Sequence, residues 1–432
     1  MTPTMIGILG IIVLFMILSL GASIGAALGI TSVIGLWILA GPQAAFLKLA
    51  VTPIRLVSNY DLSSLPLFLL MAQVCATTGI SRDLYELASK WLGRFSGGVA
   101  MATIMACALF AAMSGSAVAC AATIGAIAIP EMKRLGYSDS LSTGVVATGG
   151  TLGCALPPSF QFILFGILTE TSIGKLFTAA LIPGILQAIF YMVAIYIVCK
   201  HNPDLGPPGP PSSFKEKMIA LGRCGEILAL VVLVMGGIAV GWFTPTEAGS
   251  VGAAGSIFIT LVRRRLHWVT FKQACINSIK TTGTVFSILV GAYLFTYFIT
   301  LTNLPTSMAN MITDLHVHPM IVVWIIIAIY MVLGTAMEEA SMILLTIPIF
   351  TPLIANLGMD KVWFGIVVVR MMMVAMISPP VGMTLFIVKG LAKDVPMTTV
   401  YKGVMPFIWA DTANVLLVVF VPAVTLWLPS LM

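Results

Sequence analysis

The sequence predicts an all-α polytopic membrane protein made of inverted repeats, with two re-entrant helical hairpins and two broken helices. Three observations predict it: an apolar bulk, hydrophobic runs that are solid rather than alternating, and small-residue and Pro-Pro motifs that recur at one fixed offset. Of 432 residues, 59% are apolar and 9% charged, and mean hydropathy is +1.07. A soluble domain carries about 25% charged residues, so this chain cannot clothe a water-facing surface of its size. Soluble enzymes, nucleic-acid binders and disulfide frameworks are excluded. Runs such as 5–21, 180–199 and 415–428 approach or reach the roughly 20 apolar residues that cross about 30 Å of hydrocarbon as a helix. Their solidity excludes a barrel. The 7 Cys are scattered with no CxxC pair, which suggests neither disulfides nor zinc. The first run lacks a basic segment before it and continues into more membrane sequence, so it reads as a span, not a cleaved signal.

In chain order, crossings are expected at 5–21, 23–41, 64–80, 141–169, 178–199, 226–243, 246–262, 281–302, 361–388 and 402–428. Runs 97–130 and 319–353 are too long for one helix and are split by polar residues, which suits re-entrant hairpins. With the N-terminus outside, and each hairpin entering and leaving on one side, the basic residues sort by face. The inner side receives Arg82, Lys90, Arg94, Lys133, Arg134, Lys200, Lys215, Lys217, Arg223, Arg263, Arg264, Arg265, Lys272, Lys280, Lys389, Lys393 and Lys402, which is 17 of the 22 Lys and Arg. Lys48, Arg55, Lys175 and Lys361 fall outside, and Arg370 lies within a span. This is the positive-inside bias. The net charge of +6 is thus a topology signal and implies no polyanion partner.

The hydrophilic stretch 201–223 contains Gly206-Pro207-Pro208-Gly209-Pro210-Pro211 and divides the chain almost in half. An offset of 222 lays 115–130 over 337–352, Leu135-Gly136 over Leu357-Gly358, and Pro157-Pro158 over Pro379-Pro380. Lys133-Arg134 falls inside and Asp360-Lys361 outside, so the repeats are inverted.

Unpaired backbone groups in hydrocarbon cost several kcal/mol each, so broken helices are tolerated where protein buries them or where they line a wet cavity. The first hairpin tip is Met113-Ser114-Gly115-Ser116; its partner break runs from Gly149-Gly150-Thr151-Leu152-Gly153 to Pro157-Pro158-Ser159. The second tip is Gly334-Thr335-Ala336-Met337-Glu338-Glu339, opposite Ser378-Pro379-Pro380-Val381-Gly382-Met383-Thr384. Proline removes a backbone donor and glycine permits turns that aim carbonyls inward. Freed carbonyls and hydroxyls are hard ligands for a small cation. Half-helix N-termini face an anion. A midplane site for both follows. One Pro-Pro kink alone reads as structural; two in register, each with a small polar tip, read as a site.

Other features carry less. Arg370 is an intramembrane ionisable residue and so a functional candidate, although pairing with Glu338 or Glu339 also explains it. Glu339 reads as solvated at the cavity mouth; Glu338 stays open between ion ligand and solvated group. His316-Val317-His318 is a lone HxH in an outer polar segment, and Gly21, Gly25 and Gly29 suit close helix packing. No nucleotide-binding motif follows a strand, and no HExxH, GxSxG or paired intramembrane aspartates suggest an enzyme.

SGSAVACAATIGAIAIPEMKRLGYS, GGTLGCALPPS, FTPTEAGSVGA, GTAMEEASMILLTIPIFTPL and ISPPVGMTLFIVKG together resemble the large membrane subunit (DctM-like) of tripartite ATP-independent periplasmic (TRAP) transporters, over nearly the whole chain. The resemblance implies an ion-transporter-superfamily elevator in the bacterial inner membrane. Driven by sodium, it would import an organic anion delivered by a periplasmic binding protein. A small subunit of about four helices, expected as a separate chain, would complete the scaffold. Scaffold parts are expected at 1–95 (with an inner amphipathic arm), 178–280 (with the linker), 281–318 (with an outer arm) and 402–432. The transport domain is expected at 97–176 and 319–394. The amphipathic connectors 81–95 and 266–280 would brace it. Carried over by position, a first Na⁺ site takes Ser114, Gly115, Ser116, Gly149, Gly153 and Pro157. A second takes Gly334, Thr335, Met337, Ser378, Pro380 and Gly382. Substrate would lie between them, near Ser116, Pro158, Ser159, Gln161, Ala336, Glu338, Arg370, Val381 and Thr384. Cys120, Cys154, Gln161 and Met371-Met372-Met373 depart from the family pattern and leave the anion open. A stand-alone sodium/dicarboxylate-type symporter of the same superfamily is the alternative.

Overall fold

The computed structural model describes residues 2–314, 318–334 and 337–432, and the described residues form helices without strands. The first half comprises α1 (Pro3–Ser19), α2 (Ile24–Ala40), α3 (Pro42–Val57), α4 (Ser64–Thr77), α5 (Ile80–Leu92), α6 (Gly98–Ser114), α7 (Ala117–Arg134), α8 (Asp139–Ala155), α9 (Phe160–Thr169) and α10 (Ile173–His201). After the linker come α11 (Phe214–Ala239), α12 (Pro245–Val262), α13 (Trp268–Leu301), α14 (Leu304–Asp314), α15 (Pro319–Gly334), α16 (Glu339–Asn356), α17 (Lys361–Ile377), α18 (Met383–Leu391) and α19 (Met397–Phe420). On length and composition, six described segments can cross a membrane: α8 with α9, α10, α11, α13, α16 and α19. The bent pair α3 and α4 adds a seventh, and α1, α2, α6 and α15 are shorter apolar helices. Of these, α16 packs back on α15, as α7 does on α6, so each pair forms a hairpin.

The repeat is visible in the element bounds. α7 and α16 coincide at both ends under the 222-residue offset, as do α8 and α17. Both hairpins end in the same turn: Gly136 (φ 80°) and Gly358 (φ 72°) adopt the left-handed conformation that closes a helix and that glycine alone enters freely. The Pro157-Pro158 and Pro379-Pro380 bonds are both cis.

The halves also differ. α3 and α4 meet at 61°, because the Asn59 side chain accepts from the Asp61 amide at 2.9 Å and turns the chain between them. The equivalent stretch of the second half runs unbroken through α13. The connector expected at 266–280 is therefore largely the first part of a 34-residue helix, which runs through Asn277-Ser278 without a break. The other connector, 81–95, is α5. Its Asp83 pairs with Arg263 at 3.6 Å and Arg265 at 2.5 Å, and its Glu86 pairs with Arg223 at 3.3 Å. Arg223, Arg263 and Arg265, three of the residues sorted to one face by charge, thus gather on one arm.

Two bodies of packing emerge. α2 lies on α13 and α4 on α12. Of the glycine stripe only Gly25 sits at a close approach: a Cβ there would stand 2.7 Å from the Ser287 carbonyl, while Gly21 and Gly29 face open space. The second body joins α6, α7, α8 and α17 with α10 and α19. The stretches 178–199 and 402–428 pack on this body. The reason is steric: α8 and α19 cross so tightly at Gly144 and Gly403 that a Cβ on Gly403 would fall 1.9 Å from the Ser140 carbonyl.

Candidate functional site

At the first break α8 ends on Ala155, and Pro157 and Pro158 have no N–H to give the carbonyls of Gly153 and Cys154. Those oxygens are released from the helix. The opposing tip turns at Gly115 (φ 60°), and Ser116 caps α7, its hydroxyl accepting from the Ala119 amide at 3.4 Å. Tip and break interlock. The Phe160 amide donates to the Gly115 carbonyl at 3.3 Å. A Cβ on Gly115 would lie 2.8 Å from the Pro158 carbonyl, and one on Gly153 would lie 2.3 Å from that of Ser116. Ser114, Gly115, Ser116, Gly153, Pro157, Pro158 and Ser159 are thereby brought together. The buried Ser114 hydroxyl has no hydrogen-bond partner, which leaves it free for a cation. Gly149 stands a turn away, against Cys107 of α6. Leu65 and Phe68 of α4 join Ser114, Gly115 and Pro158 around a narrow cleft.

At the second break, Ser378 turns its hydroxyl back onto the Val374 carbonyl at 2.7 Å. Pro380 cannot serve the Met376 carbonyl, which accepts the Thr384 hydroxyl at 2.9 Å instead. Gly382 (φ 46°) starts α18, and Tyr401 of α19 donates to the Pro380 carbonyl. Gly334 packs so close to α17 that a Cβ would meet that of Ala375 at 2.3 Å. Met337 is half-buried with its amide on the Leu333 carbonyl. Thr335 and Ala336 lie outside the described residues, as do His316 and Val317. The two breaks differ in surroundings: Ser159 is fully buried, whereas Pro379 and Pro380 are exposed and Val381 is 40% exposed. Among the described residues no three His, Cys, Asp or Glu gather as a metal cluster. A cation here would be held by carbonyls and hydroxyls.

Glu338 is exposed, but Glu339, expected to be solvated, is only 5% exposed. It reaches from the second hairpin into the first break, where the Gln161 amide donates to its carboxylate and the Ser159 hydroxyl donates to Gln161 Oε1 at 2.7 Å. Arg370 (2% exposed) pairs with neither glutamate. Its guanidinium makes no ion pair among the described residues: Nη1 touches Met373 Sδ at 3.6 Å, Nε and Nη2 have no hydrogen-bond partner, and the acid in its neighbourhood is Asp411 of α19, to which Tyr191 of α10 donates at 2.5 Å. Thr151 lies 3.4 Å from the Tyr191 hydroxyl. Asp411 was passed over in the sequence although it stands inside an apolar run, the same signal that drew attention to Arg370. A separate cavity of about 700 Å³ lies between α3, the α9–α10 turn and α13, and includes Lys48, Arg55, Glu170 and Tyr297.

Residues 11–424 match the family model described as "Tripartite ATP-independent periplasmic transporter, DctM component". Curated relatives include the C4-dicarboxylate TRAP transporter large permease of Pseudomonas aeruginosa, 35% identical and covering 89% of each chain. The sialic acid TRAP large permease of Vibrio cholerae is 31% identical over 87% of each chain. The isethionate TRAP permease of Oleidesulfovibrio alaskensis is 32% identical over 86% of this chain and 58% of its own. In fold the chain is similar to the crystal structure of the Alcanivorax borkumensis YdaH transporter, with TM-score 0.66, 12% identity and 88% of each chain covered. The chain is therefore a transporter permease and no enzyme, and it belongs to the DctM family of TRAP transporter large permease subunits.

Proposed function

We propose that this chain imports a small organic anion, a carboxylate or sulfonate, across the bacterial inner membrane, driven by sodium and supplied by a periplasmic binding protein. A small four-helix membrane subunit completes it. The observation that carries this reading is the interlocked first tip and break, where the buried, unpartnered Ser114 hydroxyl shares a cleft with Gly115 and Pro158, and Gly153 lies against the Ser116 carbonyl. The second site is assigned to Gly334, Thr335, Met337, Ser378, Pro380 and Gly382. Substrate lies between the two, among Ser116, Pro158, Ser159, Gln161, Ala336, Val381 and Thr384.

The packing of α10 and α19 on α8 and α17 supports moving them with the hairpins in an elevator-type step past α2, α4, α12 and α13. Arg370, buried near Asp411 and Tyr191 and paired with neither glutamate, then serves that moving body and leaves anion recognition to backbone groups. A helix terminus contributes only about 0.3 to 1 kcal/mol per charge, and up to about 2 when partly buried. Micromolar capture needs roughly 8 kcal/mol, a task better placed on a soluble protein.

The test is uptake into proteoliposomes of succinate, sialic acid and isethionate, each with its loaded binding protein. Ser114→Ala is expected to abolish sodium dependence while the protein still assembles; wild-type sodium dependence in that variant overturns the ion assignment. Robust micromolar uptake without binding protein overturns the tripartite reading in favour of a stand-alone symporter.

A further inference from the structure

The Glu339 carboxylate sits where an anion is expected. Its one hydrogen bond comes from the Gln161 side chain in the first turn of α9, and it lies beside the Ala117 amide, which opens α7, and the Cys154 thiol without a hydrogen bond to either. The first-turn N–H groups of both helices, Ala117 and Val118 on one and Gln161 and Phe162 on the other, have no helical acceptor and carry the positive end of the helix field. Among the described residues no Lys or Arg forms an ion pair with the carboxylate. Glu339 Oε1 also has no hydrogen-bond partner in a side chain 5% exposed. By the repeat offset Glu339 corresponds to Ala117, so only the second half carries such a side chain, and it projects into the first half's site.

We propose that Glu339 is a tethered competitor: in the substrate-free protein its carboxylate fills the anion cradle at the start of α7 and α9, and the transported carboxylate displaces it. The inference rests on the proposed placement of the substrate between the two ion sites, beside Ser116, Pro158, Ser159 and Gln161. It adds the ligand class, a carboxylate at the end of a short aliphatic stem, and a residue that sets affinity. Release of Glu339 toward the exposed second break frees the cradle, so occupancy by substrate and by Glu339 exclude one another.

Propionate reproduces the carboxylate and stem of a glutamate side chain and serves as the probe. The full chain, purified in detergent with its small membrane partner, is titrated with choline propionate, choline chloride or propionamide while thermal unfolding is followed. Glu339→Ala is expected to show saturable stabilisation by propionate at about tenfold lower concentration than wild type, the scale of one charge at helix termini. Neither chloride nor propionamide should act. Equal propionate response in wild type and variant, or an equal effect of propionamide, overturns the proposal. If Glu339→Ala does not fold, Glu339→Gln is titrated instead. It removes the charge at constant volume and is expected to tighten propionate binding by about threefold, with no change overturning the proposal. The readout contains neither sodium nor transport. It can therefore fail while Ser114→Ala still abolishes sodium-driven uptake, or succeed where that fails.

Discussion

Tyr191 on α10 donates to Asp411 on α19 at 2.5 Å, and the buried Arg370 guanidinium on α17 lies in their neighbourhood without an ion pair to Asp411. Two helices from opposite halves of the chain are thus joined by one acid. Removing one partner of a contacting buried charge pair costs about 3 to 5 kcal/mol, an upper bound for buried charges that do not touch. Arg370→Met and Asp411→Leu are each expected to lower the unfolding midpoint strongly in detergent, and the double replacement to recover most of the loss. Equal losses in single and double variants would show that the two charges are not coupled.

Gly153 leaves no room for a side chain, because the Ser116 carbonyl would stand 2.3 Å from its Cβ. Backbone cannot step aside as a flexible side chain does. Gly153→Ala is expected to force the first tip off the break, with sodium-dependent uptake lost. Gly29→Ala, which meets nothing within 4 Å, is the control and should transport normally. Unchanged sodium dependence in Gly153→Ala separates the break from the ion.

The Thr244-Pro245-Thr246-Glu247 motif has a local physical meaning. Thr244 caps α12, its hydroxyl accepting from the Glu247 amide at 3.3 Å, while Glu247 accepts from the Thr244 amide at 2.8 Å. This is a capping box with proline at the first helical position. Thr244→Ala is expected to cost about 0.5 to 2 kcal/mol, read as a lower unfolding midpoint with transport retained, and Thr244→Ser to restore it.

Asp394, in the turn before α19, lies 2.5 Å from Lys133 at the end of α7. The Lys133 ammonium holds the Asp394 carboxyl below its ordinary 3.8, and Asp394 holds Lys133 above its ordinary 10.5. A depressed acid contributes stability above its unfolded value and loses it as pH falls through the folded one; the raised base contributes below its own unfolded value. Wild type is therefore expected to exceed Asp394→Asn slightly in unfolding midpoint between about pH 4 and 10, the two curves converging in stronger acid. A gap that persists in strong acid would rule out the charge as its origin.

The membrane class follows from composition, because too few charged residues exist to face water, whatever the fold. The two breaks were legible for a local reason: a proline without an N–H frees the carbonyl four residues back, wherever the helix lies. The Leu-Gly turns and the repeat offset are equally local, and they reappear at matching positions, in left-handed glycines and shared helix bounds. Partner choice was not legible. Arg370 is 41 positions from Asp411 and 31 from Glu339 along the chain, and spacing alone favours the nearer acid; packing of α19 on α17 brings Asp411 into its neighbourhood instead. Glu339 reads as solvated beside exposed Glu338, yet the opposite half buries it against Gln161. The two Pro-Pro breaks are near twins in sequence, but one is sealed by a hairpin tip and the other lies open. Propensity and backbone chemistry act over a few residues and are written there. Burial and charge pairing depend on which distant segments meet, and only the tertiary structure decides that.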